Sequence, residues 1–221
     1  MEIIRTEKLN KIYGKGQAQV HAVKDVSISV EEGEFVSIVG ASGGGKSTLL
    51  HLIGGLENPT SGKVYIKGHD IYKLDNDERA IFRRRNIGFI FQFFNLIPVL
   101  TVEENILLPV ELDKHEVDEK KVLNIAENLG IDGILDRFPN EISGGEQQRV
   151  SIARSLIYRP SIILADEPTG NLDKKNSEEI INTLRLFQSK YGITVVMITH
   201  DLGLAATSDR ILKIEDGRIK S

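Results

Sequence analysis

Apolar positions along this chain change period more than once, and each change predicts a change of element. Val20–Val30 and Glu34–Val39 alternate or run apolar around the turn Glu31-Glu32-Gly33, which predicts paired strands. Leu49, Leu50, Leu52 and Ile53 then predict a helix entered directly from a glycine-rich stretch. Pro59-Thr-Ser-Gly62 predicts a turn, and Lys63–Gly68 another alternating strand. From about Thr101 to Pro160 the pattern is helical. Val122, Ile125, Ala126 and Leu129 share one face there, and Val150, Ile152, Ala153, Leu156 and Ile157 another. Ile162–Ala165 and Thr194–Ile198 are strands on either side of a helix rich in Ile180, Ile181, Leu184 and Phe187, the βαβ order of a parallel sheet. Ile211–Ile214 and Arg218–Lys220, split by Glu215-Asp-Gly217, predict a closing hairpin.

The chemistry sits where these elements meet. Gly40-Ala41-Ser42-Gly43-Gly44-Gly45-Lys46-Ser47-Thr48 follows the apolar run Phe35–Val39 and opens a helix. Glycines let the main chain curl around a polyphosphate with its N–H groups converging on one point. The helix start adds its positive dipole end, the Lys46 ammonium reaches the outer phosphates, and the Ser47 hydroxyl is placed for Mg²⁺. A nucleoside triphosphate is the ligand this spacing predicts.

Asp166-Glu167 ends the apolar strand Ser161–Ala165, so two carboxylates emerge at one strand tip. Asp166 can hold Mg²⁺ through its water shell, and Glu167 can accept a proton from an attacking water. Ser143-Gly144-Gly145-Glu146 precedes the second helical face and is both a cap and a second anion cradle. One nucleotide rarely needs two cradles, so the second is better explained if it faces the nucleotide of another copy. His200 ends the strand Ile193–Thr199, where its imidazole could meet a γ-phosphate.

Composition narrows the class. With 221 residues and 40% hydrophobic content, the chain can bury a core as one domain with a subdomain. No window approaches the roughly 20 apolar residues of a membrane-spanning helix. The first residues lack a signal-peptide pattern, which predicts a cytosolic chain. Absence of cysteine excludes disulfides and thiolate metal sites. A net charge of −4 argues against nucleic acid as a partner. Arg83-Arg84-Arg85 follows Asp75, Asp77 and Glu78, which predicts a solvated helix face with local pairing.

These motifs, in this order over essentially the whole chain, resemble the nucleotide-binding subunit of an ATP-binding-cassette (ABC) transporter. The resemblance implies an α/β P-loop NTPase fold across 1–221: a parallel-sheet core, an N-terminal antiparallel β-subdomain and a helical subdomain inserted at about 93–160. It implies that Tyr13 stacks on adenine and that Gly40 through Thr48 form the phosphate loop. Gln92 would touch Mg²⁺ and sense the membrane subunit. Ser143 through Glu146 would be the signature that closes on the opposite protomer's γ-phosphate. Asp166 would serve the metal, Glu167 would be the general base, Asn171-Leu172-Asp173 would cross the dimer interface, and His200 would be the switch histidine. Two residues depart from the family pattern: Glu146 stands where Gln is usual, and Gly44 where Ser is usual. The Glu146 side chain is expected along the helix start, where the dipole favours an anion, and Gly44 contributes through its N–H.

Ala165–Asp173, Phe89–Pro98 and Leu100–Ile106 are similar to the branch serving lipoprotein release, macrolide export, bacitracin-type peptide export and the cell-division complex. The implied activity is hydrolysis of ATP, with Mg²⁺, by a dimer of two copies. That dimer would drive an integral membrane permease from the cytoplasmic face of the membrane, for export or extraction of a peptide, lipid or drug-like substrate. An alternative within the branch is an ATP-driven regulatory switch without net transport. DNA-repair and translation ATPases of the superfamily carry long inserts, zinc motifs or two cassettes, and a P-loop kinase would lack the signature.

Overall fold

In the computed structural model, residues 1–114 and 119–220 are described. The expected helical pattern over 115–118 lies outside them. Strand β1 (Glu2–Tyr13) is flanked by β2 (Val20–Val26), β3 (Ser29–Glu31) and β5 (Ser61–Ile66), all antiparallel to it, and β6 (His69–Asp70) extends the sheet beyond β5. The second sheet runs β11-β10-β4-β9-β8-β7, with β4 (Phe35–Val39), β7 (Ile87–Phe91), β8 (Ile162–Asp166), β9 (Thr194–Ile198) and β10 (Arg210–Glu215) parallel. Only β11 (Arg218–Lys220) is antiparallel, closing the expected hairpin with β10.

The parallel strands are apolar throughout because both of their faces are covered. In β9 the side chains of Val195 and Met197 enter one core, while Val196 and Ile198 enter the other. In β8 the same alternation sends Ile163 and Ala165 one way and Ile162 and Leu164 the other. The first core is completed by α3 (Val102–Leu112), α4 (Glu119–Leu129), α5 (Gly144–Leu156) and α6 (Lys174–Tyr191). The second is filled by α1 (Lys46–Ile53) and by the antiparallel sheet. Helix α2 (Asn76–Asn86) buries none of its residues fully, and α7 (Leu202–Ala205) is a single turn after β9.

Two expectations are corrected, and one strand, β1, was not read from the sequence. Val20–Val30 and Glu34–Val39 do not pair with each other: β2 and β3 both pair with β1, whereas β4 crosses into the parallel sheet between β10 and β9. Strand β1 has no clean alternation because register shifts interrupt it at Ile4, Asn10, Lys11 and Ile12 and Lys8 takes a positive φ of 44°, so its period is disguised. The triple arginine of α2 is not paired with the acids before it. Asp75 and Glu78 form the capping box of α2, while Arg84 and Arg85 both reach Asp113 at the end of α3 and Arg83 donates to the Gly55 carbonyl.

Candidate nucleotide site

Strand β4 is buried along its whole length, so the glycine loop after it leaves the sheet at a fixed point. The loop is wedged against backbone. A Cβ on Gly45 would lie 2.1 Å from the Ala22 carbonyl oxygen, and one on Gly40 2.2 Å from that of Ile214. Gly45 also sits at φ 94°, a conformation that glycine adopts without strain. Gly44 has an ordinary φ and bonds through its N–H to the Ala41 carbonyl at 3.1 Å. Helix α1 therefore starts from a glycine, with no side chain capping its first N–H groups. Those donors, unpaired among the described residues, fit a phosphate together with the dipole.

Lys46 is buried, and its Nζ donates to the carbonyls of Gly40 (3.0 Å) and Ala41 (2.9 Å). An ammonium has three donors, so one is left for a phosphate oxygen. Ser47 Oγ donates to Asp166 Oδ1 at 3.0 Å, which brings the expected metal-site hydroxyl and carboxylate together across α1 and β8. Burial raises the Asp166 pKa, and the Ser47 bond opposes that rise. A cation seated between the two would favour the carboxylate. On the other side of Asp166, His51 Nε2 lies 3.7 Å from Oδ2, a neighbour that sequence reasoning did not single out.

Parallel register sets the rest. Phe91 is opposite Asp166 and Asp166 opposite Ile198, so Gln92, Glu167 and His200 all emerge at the carboxyl edge of the sheet. Glu167 has a left-handed φ of 46°. Its Oε2 lies 3.3 Å from His200 Nδ1. The Gln92 side chain packs against Gly170, where a Cβ would come within 2.8 Å of Nε2, and the Gln92 carbonyl accepts from Asn171 Nδ2 at 2.9 Å. A cleft of about 760 Å³ opens beside His200, between the start of α6 and α7. Tyr13 is 38% exposed, with its hydroxyl 3.5 Å from Thr48 Oγ1 in the first turn of α1 and 2.5 Å from Glu57 Oε2.

Ser143–Glu146 stands apart. Ser143 caps α5, and Glu146 folds back to accept from the Ser143 N–H (2.7 Å) and Oγ (2.6 Å), the position along the helix start that the sequence predicts. These bonds hold the Glu146 carboxyl below its ordinary pKa. Gly144 faces Phe94 and Leu172, and Gly145 faces Asn176. Among the described residues, no hydrogen bond or ion pair joins Ser143–Glu146 to Gly40–Thr48.

A family model described as "ABC transporter" matches residues 23–170. The chain belongs to the ABC transporter family. It is an ATP-binding cassette, and ATP hydrolysis is its activity. It is 43% identical to the bacitracin export ATP-binding protein BceA of Halalkalibacterium halodurans, covering 99% of this chain and 87% of that protein. It is 42% identical to the lipoprotein-releasing system ATP-binding protein LolD of Geobacter metallireducens, over 98% of this chain and 97% of that one. Among solved structures, the cassette MJ0796 of Methanocaldococcus jannaschii, described as a post-hydrolysis dimer bound to ADP and Pi, superposes with a TM-score of 0.92. That match has 41% identity and covers 99% of this chain and 97% of the other. Among its described residues, the cassette has no helix long and apolar enough to cross a membrane.

Proposed function

We propose that two copies of this cassette close face to face on two ATP molecules and that the cycle energises an integral membrane permease. The observation carrying this reading is a separation within one chain. Phosphate loop, Asp166, Glu167 and His200 gather at one sheet edge, whereas Gly144 and Gly145 head α5 with N–H groups that no side chain among the described residues accepts. A second copy supplies the missing pairing, and the dimeric relative supports it.

In this reading Tyr13 stacks on the adenine. Backbone N–H groups of Gly40 through Thr48, with Lys46, hold the phosphates, and Ser47, Gln92 and Asp166 would hold Mg²⁺. Glu167 takes the proton from the water that attacks the γ-phosphorus, and His200 orients that carboxylate while facing the γ-phosphate. The partner's Ser143, Gly144 and Gly145 offset the charge that develops there. Residues 93–160 act as the helical subdomain that carries the signature.

The permease side rests on a second surface. A cleft of about 440 Å³ lies between α2, β7 and α5, lined by Arg83, Arg84, Phe89, Leu112 and Tyr158 among others. Of its lining residues Leu112 is 64% exposed, and in the segment after Gln92 Phe93 and Val99 are 72% and 76% exposed. Exposed apolar groups of this size are the kind that mark a partner site. Docking there holds the cassette at the cytoplasmic face of the membrane, and the names of the relatives support export or mechanical extraction of a peptide, lipid or drug-like substrate.

Size-exclusion chromatography tests the dimer. Glu167→Gln with ATP and Mg²⁺ is expected to elute as a dimer, and with ADP as a monomer. Adding Ser143→Arg is expected to abolish the dimer while ATP still binds through Lys46. Monomers under every condition, with a specific ATPase activity independent of protein concentration, would sink the reading.

A further inference from the structure

Gln148 lies on α5, one turn after the signature, and is fully buried. Its Nε2 donates to the carbonyl of Pro168 at 2.6 Å. Its Oε1 is equally buried and accepts nothing among the described residues. A methionine would fill similar space without an unpaired acceptor, so core packing alone does not account for an amide at this position.

The acceptor explains it. Pro168 directly follows Glu167, whose backbone is held at φ 46°. Such a conformation is strained in a non-glycine residue and persists only when its surroundings hold it. Three bonds do so. Glu167 N–H donates to Ile198 O at 3.1 Å, Gly170 N–H donates to Glu167 O at 3.0 Å, and Gln148 holds the next carbonyl. The first two tie the turn to β9 and to itself. Gln148 is the bond that ties it to α5, the helix headed by Ser143–Gly145. Pro168 has no N–H, so its carbonyl is its only polar handle.

We propose that Gln148 is a positioning residue for hydrolysis: it fixes the Glu167 turn relative to the signature helix, so that the carboxylate is aligned only when α5 is seated. The inference rests on Glu167 as the base. In mechanical terms, engagement of Ser143–Gly145 by a γ-phosphate is carried along about one turn of α5 and through one short hydrogen bond to the turn that carries the base.

The test uses Gln148→Met in the full chain, with Ser151→Ala as its control. Ser151 is on the same helix and equally buried, and its Oγ too has no partner among the described residues. Gln148→Met is expected to keep ATP affinity and lower kcat by about 10- to 100-fold, the scale of a misplaced catalytic group. Ser151→Ala is expected to leave kcat unchanged. In a Glu167→Gln background, Gln148→Met is expected to cause no further loss, because both changes act through one group. Should Gln148→Met not fold, Gln148→Asn keeps the amide but shortens its reach, and the same loss in kcat at unchanged ATP affinity is expected. Unchanged kcat in a folded Gln148 variant would overturn the inference, as would an equal further loss in the Glu167→Gln background. Near-wild-type turnover by Glu167→Gln alone would instead overturn Glu167 as the base, a separate outcome.

Discussion

Glu146 accepts from both the N–H and the hydroxyl of Ser143, so the residue that departs from the family pattern closes a capping box instead of facing the phosphate. Those hydrogen bonds favour the carboxylate and depress its folded pKa below the unfolded value. The stabilisation is therefore complete above the unfolded carboxylate pKa and is lost as pH falls through the folded one. Thermal unfolding of wild type and Glu146→Gln should show wild type ahead by about 0.3–1 kcal/mol at neutral pH. The gap should close as pH drops through the carboxylate range. A gap independent of pH would assign the effect to shape rather than charge. At this scale the sequence was informative, because phosphate-binding and capping residues act through their neighbours in sequence. His51 beside Asp166 and Gln148 beneath Pro168 were not legible, since each meets its partner across the fold.

Elements were legible where one period persists. Strands β8 and β9, helix α6 and the closing hairpin all show in the pattern of apolar residues, whereas β1 is disguised by its register shifts. Strand β7 is short and was not read as a strand. Charge runs mislead for a related reason. The arginines of α2 find Asp113, 28 and 29 residues further on, and Tyr158 joins them, its hydroxyl pushed up to about 12 by burial and by that carboxylate. This network fastens α3 to α2 and to the end of α5. Asp113→Ala should cost about 1.5–3 kcal/mol in urea unfolding, the range for hydrogen bonds to charged groups. Arg85→Ala should cost less, because Arg84 still pairs with Asp113. Equal costs would show that the exposed arginine is the one that matters. Arg154 makes a similar tie, donating to the carbonyls of Phe94 and Asn95 and so pinning the segment after Gln92 to α5.

At the scale of the whole molecule, a sheet buried on both faces leaves its carboxyl edge for nucleotide and its far flank for partners. Replacing Phe93 and Val99 together by Ser should spare the isolated cassette's ATPase, since neither side chain is packed in a core, yet abolish its recovery with the permease in a pull-down. Intact recovery would move the docking surface elsewhere. The antiparallel sheet and the last hairpin also meet at the nucleotide site, a junction that no local pattern displays. Ala22 and Ile214 crowd two loop glycines, Gly217 N–H donates to the Gly44 carbonyl at 3.2 Å, and Lys24 N–H donates to the Gly217 carbonyl at 2.8 Å.

That junction bears on how the protein is made. The Gly40–Thr48 segment leaves the ribosome early, but the wall behind it is built from residues near 214–217, translated about 170 residues later. At roughly 5–20 residues per second, the loop waits many seconds for its backing. Ribosome-stalled chains ending before Arg210 should fail to retain a fluorescent ATP analogue, whereas chains with residue 220 beyond the exit tunnel should retain it. Nucleotide capture would then wait on synthesis of the hairpin that backs the loop, and a chain interrupted before it, though carrying every phosphate-loop residue, would leave the cell's ATP alone.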